Sequence, residues 1–219
     1  NPKELATKDA KKASYQKTLT GTKESHLEML ENLALSNKAF EDLAAHAEAR
    51  NIEFFSTAFD IESLEFLVNS IGVKRLKIPS GEITNGPFLL AHANTQKKII
   101  ISTGMATIKE IKEALGVIAY GYMQNDTNEM LSKNDFNKAF NSKTAQKILN
   151  ERLTLLHCTT AYPAPAEEVN LRAMNTILDN FRINVGYSDH TLGFNVSLAA
   201  VAMGATMIEK HFTLDKTLP

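Results

Sequence analysis

The sequence predicts an α/β protein with a parallel sheet, and within that class a (β/α)8 barrel rather than a doubly wound sheet. Three observations carry this. Short apolar runs recur along the 219 residues, at Ile52–Ser56, Arg75–Ile78, Lys98–Ser102, Leu153–Cys158, Ile183–Gly186 and Thr206–Glu209. They lack strict polar alternation, as strands buried on both faces do. Helical patterns separate them at similar spacings, the mark of repeated β-α units. No glycine-rich phosphate loop follows the first run, which weighs against a dinucleotide or Walker-type doubly wound fold.

The helices are well punctuated. Ser36 caps a segment whose apolar face is Phe40, Leu43, Ala44 and Ala47. Asp60 precedes Ile61, Leu64, Val68 and Ile71, and Gly72 ends that segment. Pro87 suits a first helical turn. Thr107 and Glu110 form a capping box ahead of Ile111, Leu115 and Ile118. Phe194 to Met203 is an alanine-rich helix closed by Gly204. The exception to the regular spacing is the Asn- and Lys-rich stretch from Tyr122 to Asn150, read as an insertion of about 122–150 made of a surface helix and loop.

Composition narrows the function classes. The formal charge is 24 − 25 = −1, so there is no general affinity for nucleic acid or membrane, and any anion site is local. One cysteine, Cys158, excludes an intrachain disulfide and makes a cytoplasmic location the expectation. No apolar run approaches the roughly 18 residues of a membrane span. The polar start without an initiator Met suggests a fragment.

In a barrel the chemistry sits at the C-terminal strand ends. Six consecutive runs end in polar groups here. His190 and His211 end neighbouring runs, reading as a pair of metal ligands or as two unrelated histidines, one of them bonded in the core. Alternation puts Gly186, Ser188 and His190 on one face, and Met207, Glu209 and His211 likewise, with Lys210 turned towards the helices. Two imidazoles without a thiolate leave room for water and substrate oxygens, which suits Mn²⁺, Mg²⁺ or catalytic Zn²⁺. Lys77, Ser80, Gly81 and Glu82 follow one run: a cation for phosphate or carboxylate, a hydroxyl donor, a close backbone approach and a carboxylate able to orient a hydroxyl or carry a proton. They read equally as a solvated turn. Thr57, Ser102 and Ser188 are hydroxyls able to cradle an anion or to cap helices. Tyr162, held by Pro163 and Pro165, suits sugar stacking or a plain loop anchor. Cys158 reads as a buried, inert strand cysteine.

These residues lie in blocks that resemble the sialic acid synthase family, including bacterial N-acetylneuraminate, legionaminate and pseudaminate synthases. The blocks are Phe54 to Asp60, Lys77 to Glu82, Ile101 to Met105, His157 to Pro163, Gly186 to Thr191 and Ile208 to Thr213. The resemblance runs from about Ala13 to the last residue. It implies a (β/α)8 barrel of which this chain carries strands 3 to 8 without the first two, and without the C-terminal antifreeze-like domain that usually follows. It implies metal binding, most simply Mn²⁺, by His190 and His211. It implies phosphoenolpyruvate contacts at Thr57, Lys77, Ser80, Ser102 and Ser188, and contacts at the amino-sugar end from Glu82 and Tyr162, with Thr160 where relatives often carry Ser or Asn. The implied reaction joins phosphoenolpyruvate to N-acetylmannosamine or a diamino analogue, giving a nine-carbon 2-keto sugar acid and phosphate. A homodimer is implied for the full-length protein. The residues also admit a Schiff-base aldolase using Lys77, or a non-catalytic binding chain.

Overall fold

A computed structural model describes residues 2–13, 16–17, 24–123 and 131–215. The chain divides into two compact units, Asn1–Val73 with Phe212–Pro219, and Lys74–His211.

Among its described residues the first unit carries four α-helices: α1 (Pro2–Leu5), α2 (His26–Leu33), α3 (Asn37–Ala49) and α4 (Ile61–Glu65). The expected caps are present. Ser36 accepts from the Ala39 N–H and Asp60 from the Ser63 N–H, while Gly72 ends the helical stretch in the left-handed conformation, φ 73°. Phe40 meets Phe54 and Phe66 edge-on, and Met29, Leu64 and Leu67 are buried.

One expectation is corrected here. Residues 52–56 form no strand: the segment is extended, but no ladder reaches it. A strand exists only by hydrogen bonding to a neighbour, and Ile52 is 65% exposed. The remaining five runs do form strands.

The second unit holds one parallel sheet: β1 (Arg75–Ile78), β2 (Lys98–Ser102), β3 (Leu153–Cys158), β4 (Asn184–Asp189) and β5 (Ile208–Lys210). Its order is β1-β2-β3-β4-β5, each strand beside its sequence neighbour. A doubly wound sheet reverses its order at a switch point; this one does not, so the arrangement is that of a β/α barrel wall. The crossovers are α5 (Gly86–Asn94), α6 (Ile108–Tyr122), α7 (Lys133–Asn141), α8 (Lys143–Arg152), α9 (Arg172–Phe181) and α10 (Asn195–Ala202). Thr107 and Glu110 make the reciprocal capping box, and Asn85 caps α5, with Pro87 in its first turn.

Residues 131–152 are two helices rather than a surface helix and loop. Ala139, Ala145 and Leu149 are buried, and α8 runs directly into β3. Residues 124–130 of the expected insertion lie outside the described residues.

The register assigns the faces. Lys77 aligns with Ile100 and Thr154; Ser102 with Leu156 and Gly186; Cys158 with Ser188 and Glu209. Aligned residues of parallel strands point the same way, so these share one face. The alternate set, Ile78, Ile99, Ile101, Leu153, Leu155, Val185 and Tyr187, packs with Ile111, Leu115, Ile118, Leu149, Ile177 and Phe181 of the helices in one buried core. Burying each such side chain is worth about 1.5–3 kcal/mol. The core thus claims one face and leaves the other to polar groups at the strand ends. Among the described residues no helix is long and apolar enough to cross a membrane.

Candidate active site at the strand ends

Lys77 is the deepest charge on the polar face, 7% exposed. Its Nζ donates to Ser102 Oγ at 2.9 Å and lies 3.5 Å from Glu209 Oε1. Ser188, also buried, donates to the same Glu209 oxygen at 2.7 Å. Three residues expected from the sequence therefore meet, and a fourth that was not singled out, Glu209, joins them. Its signal was the alternation that puts it on the face of His211.

Next to this group stand the histidines. The His190 and His211 ring centroids are 5.7 Å apart. His190 Nδ1 lies 2.6 Å from the Thr159 carbonyl oxygen. A carbonyl only accepts, so Nδ1 carries a proton, and in the neutral ring the lone pair is then on Nε2. Ser188 Oγ is 3.4 Å from that Nε2, but its single proton goes to Glu209. In that tautomer Nε2 is the nitrogen that could meet a Lewis acid, and a backbone carbonyl fixes the ring as it does behind many metal-bound histidines. Among the described residues no three His, Cys, Asp or Glu side chains gather as a metal site. Two imidazoles fit an open, hydrated site rather than a closed structural one.

Tyr162 packs its ring on His190, centroids 4.1 Å apart at 34°, and meets His211 edge-on at 6.0 Å. Its loop is tied down by the Ala164 N–H donating to the His190 carbonyl. Ser80 and Thr160 face Gly104: a Cβ there would come within 2.6 Å of Ser80 Cβ and 3.3 Å of Thr160 Cγ2. Glu82, in the short helix after β1, accepts from Asn85 at 2.7 Å, and no hydrogen bond links it to the other candidates among the described residues. Thr57 belongs to the first unit, where it lines a cavity with Ser56, Phe59 and Asp60.

On the helix-facing side, Asp189 is 1% exposed. Burial alone would raise its carboxyl, but hydrogen bonds from Ser197, Lys210 and Thr191 outweigh that and hold it at about 2. Burial pushes the Cys158 thiol up, against the pull of the Gly104 backbone and the Lys77 charge. The side chain is buried, as expected.

Polar groups from successive parallel strands thus gather at one end of the sheet, and the NeuB family model matches the chain over residues 1–219. This chain belongs to the NeuB family. It is 50% identical to the N,N'-diacetyllegionaminic acid synthase of Campylobacter jejuni subsp. jejuni serotype O:2 over 98% of the chain and 56% of that protein. It is 44% identical to the enzyme of the same name from Legionella pneumophila subsp. pneumophila, over 98% of the chain and 54% of that protein. Among solved structures, the N-acetylneuraminic acid synthetase of Leptospira borgpetersenii serovar Hardjo-bovis superposes with a TM-score of 0.71 at 33% identity, over 88% of this chain and 57% of that one. The chain spans about half the length of the curated relatives it matches. The resemblance read from the sequence blocks is thereby borne out, and the α/β fold of this NeuB-family chain is that of the solved synthetase.

Proposed function

We propose that the full-length protein condenses phosphoenolpyruvate with an N-acetylated amino sugar, releasing phosphate and a nine-carbon 2-keto sugar acid. The observation that carries this is the linked set Lys77, Ser102, Ser188 and Glu209 beside the His190–His211 pair. The 50% identity to a diacetyllegionaminic acid synthase favours a diamino analogue of N-acetylmannosamine as the sugar.

Lys77 and the hydroxyls of Thr57, Ser80, Ser102 and Ser188 hold the phosphoenolpyruvate anion. A fixed ammonium and preset hydroxyls stabilise such charge without reorganising when the reaction occurs. The methylene carbon of phosphoenolpyruvate attacks the open-chain aldehyde; water adds at the phosphate-bearing carbon, and phosphate leaves by C–O cleavage. Glu82 orients a sugar hydroxyl or carries a proton, and Thr160 and Tyr162 border the sugar. His190 and His211 would hold a divalent ion, Mn²⁺ first and Mg²⁺ next, which when bound supplies Lewis-acid polarisation of the aldehyde.

We take β1–β5 as the last five strands of a closed (β/α)8 barrel, since their order never reverses. The full-length protein would act as a homodimer. The Schiff-base reading finds no support in the geometry, because imine formation needs a free, desolvated amine, and Lys77 is hydrogen-bonded and charge-paired.

A phosphate-release assay on the full-length protein tests the proposal, with Mn²⁺, phosphoenolpyruvate and either N-acetylmannosamine or its diamino analogue. Release that requires a sugar is expected, fastest with the diamino compound. No sugar-dependent release, or a borohydride-reducible pyruvate adduct at Lys77, would overturn it.

A further inference from the structure

Lys210 and Asp189 face away from the site just described, yet they are joined to it through the backbone. Asp189 immediately precedes His190, and Lys210 immediately precedes His211. The two are register partners across β4 and β5. Lys210 Nζ donates to Asp189 Oδ2 at 2.9 Å and to the Thr191 carbonyl at 2.9 Å. One ammonium therefore grips the residues on both sides of His190 from the residue next to His211. Asp189 Oδ1 in turn accepts from the Thr191 N–H at 2.8 Å and from its hydroxyl at 2.7 Å, closing a small ring around the His190 backbone. Ser197 of α10 bonds to Oδ2 from the helix side.

The other end of the same strand pair is also held. A Cβ on Gly186 would lie 2.4 Å from the Met207 carbonyl oxygen, and the Tyr187 N–H donates to that oxygen at 2.9 Å. β4 and β5 are thus pressed together below the histidines and tied above them.

We propose that Lys210, acting through Asp189 and Thr191, is the positioning residue that sets the spacing of His190 and His211 for a divalent cation. The inference rests on the metal reading given under Proposed function. Residues that orient metal ligands from behind change metal affinity by about 10–100-fold when replaced. A residue that merely stabilises the sheet would change the melting temperature without changing affinity.

The test uses the full-length protein and direct Mn²⁺ binding, read from the electron paramagnetic resonance signal of free Mn²⁺, beside thermal melting in chelator. Lys210→Met is expected to raise the Mn²⁺ dissociation constant at least about 10-fold. Lys210→Arg, able to reach both acceptors, should recover much of the affinity. Ser197→Ala removes one Asp189 bond but leaves the Lys210 bridge, so it should lower the melting temperature and leave Mn²⁺ affinity at the wild-type value. If Lys210→Met does not melt cooperatively, Lys210→Gln takes its place with the same expectation. Wild-type affinity in the folded Met or Gln variant overturns the proposal, as does an equal loss in Ser197→Ala. His211→Ala separates this from the underlying reading: if it binds Mn²⁺ as the wild type does, or the wild type binds none, the metal reading itself fails.

Discussion

Lys77 Nζ lies 3.5 Å from Glu209 Oε1, so the charge expected to meet an anionic substrate is already paired with a carboxylate. On the proposed function, an incoming trianion would compete with Glu209 for that ammonium and for Ser188. Lys77→Met should cut kcat/KM for phosphoenolpyruvate by about 10²–10³-fold, the usual cost of a lost donor to developing charge. Lys77→Arg should retain more, since it keeps the charge though not the geometry. Steady-state kinetics with varied phosphoenolpyruvate check this; equal losses in both variants would contradict an electrostatic role.

His211→Ala should abolish nearly all sugar-dependent phosphate release, and added Mn²⁺ should not restore it. The wild type should lose activity in chelator and regain it with Mn²⁺. Full turnover of His211→Ala in metal-free buffer would sink the assignment of the histidine pair.

Stability should fall in mild acid. Burial holds the His92 imidazole below its ordinary value of 6.5, against the Phe88 carbonyl bond and the Glu82 charge, which pull it up. The unfolded chain therefore takes the proton at higher pH than the folded one. The stability contributed by neutral His92 is complete above about 6.5 and is lost as pH drops towards the lowered folded value. His157, also held low by burial against bonds to the Val169 and Asn170 backbone, works in the same sense. Urea midpoints should fall from about pH 7 to about pH 5, and His92→Leu should fall less steeply. Parallel pH profiles for the two proteins would refute the assignment.

Gly104→Ala should cost about 1–3 kcal/mol, because the site combines φ +48° with a Ser80 Cβ 2.6 Å from the new methyl. Displacing Ser80 should also raise KM for phosphoenolpyruvate. Calorimetry and kinetics on one sample check both, and an unchanged KM would detach Ser80 from the substrate.

The sequence was most readable where one residue type had one physical reason. Asp60, Thr107 and Gly72 occupy the capping positions assigned to them. Alternation placed Lys210 towards the helices, where it meets Asp189. Legibility failed where a partner decides the outcome. Residues 52–56 are as apolar as a strand, but composition cannot show whether a ladder reaches them. The two helices within 131–152 bury Ala139, Ala145 and Leu149 and pack Phe136, Phe140 and Ile148 against the core, but Asn and Lys between these positions dilute the apolar pattern that would announce a packed face. Glu209 was visible as a strand-end residue, yet its pairing depends on Lys77, four strands away in the order of the sheet.

The long crossover between β2 and β3 has a consequence during synthesis. β2 ends at Ser102 and β3 begins at Leu153. A ribosome adding about 5–20 residues per second takes about 3–10 s to cover that distance. Through that interval Ile99, Ile100 and Ile101 carry an unpaired backbone edge with apolar side chains on both faces. Holding chaperones should therefore engage nascent chains halted within 102–153 more strongly than chains released past Cys158, whose β3 has already claimed that edge.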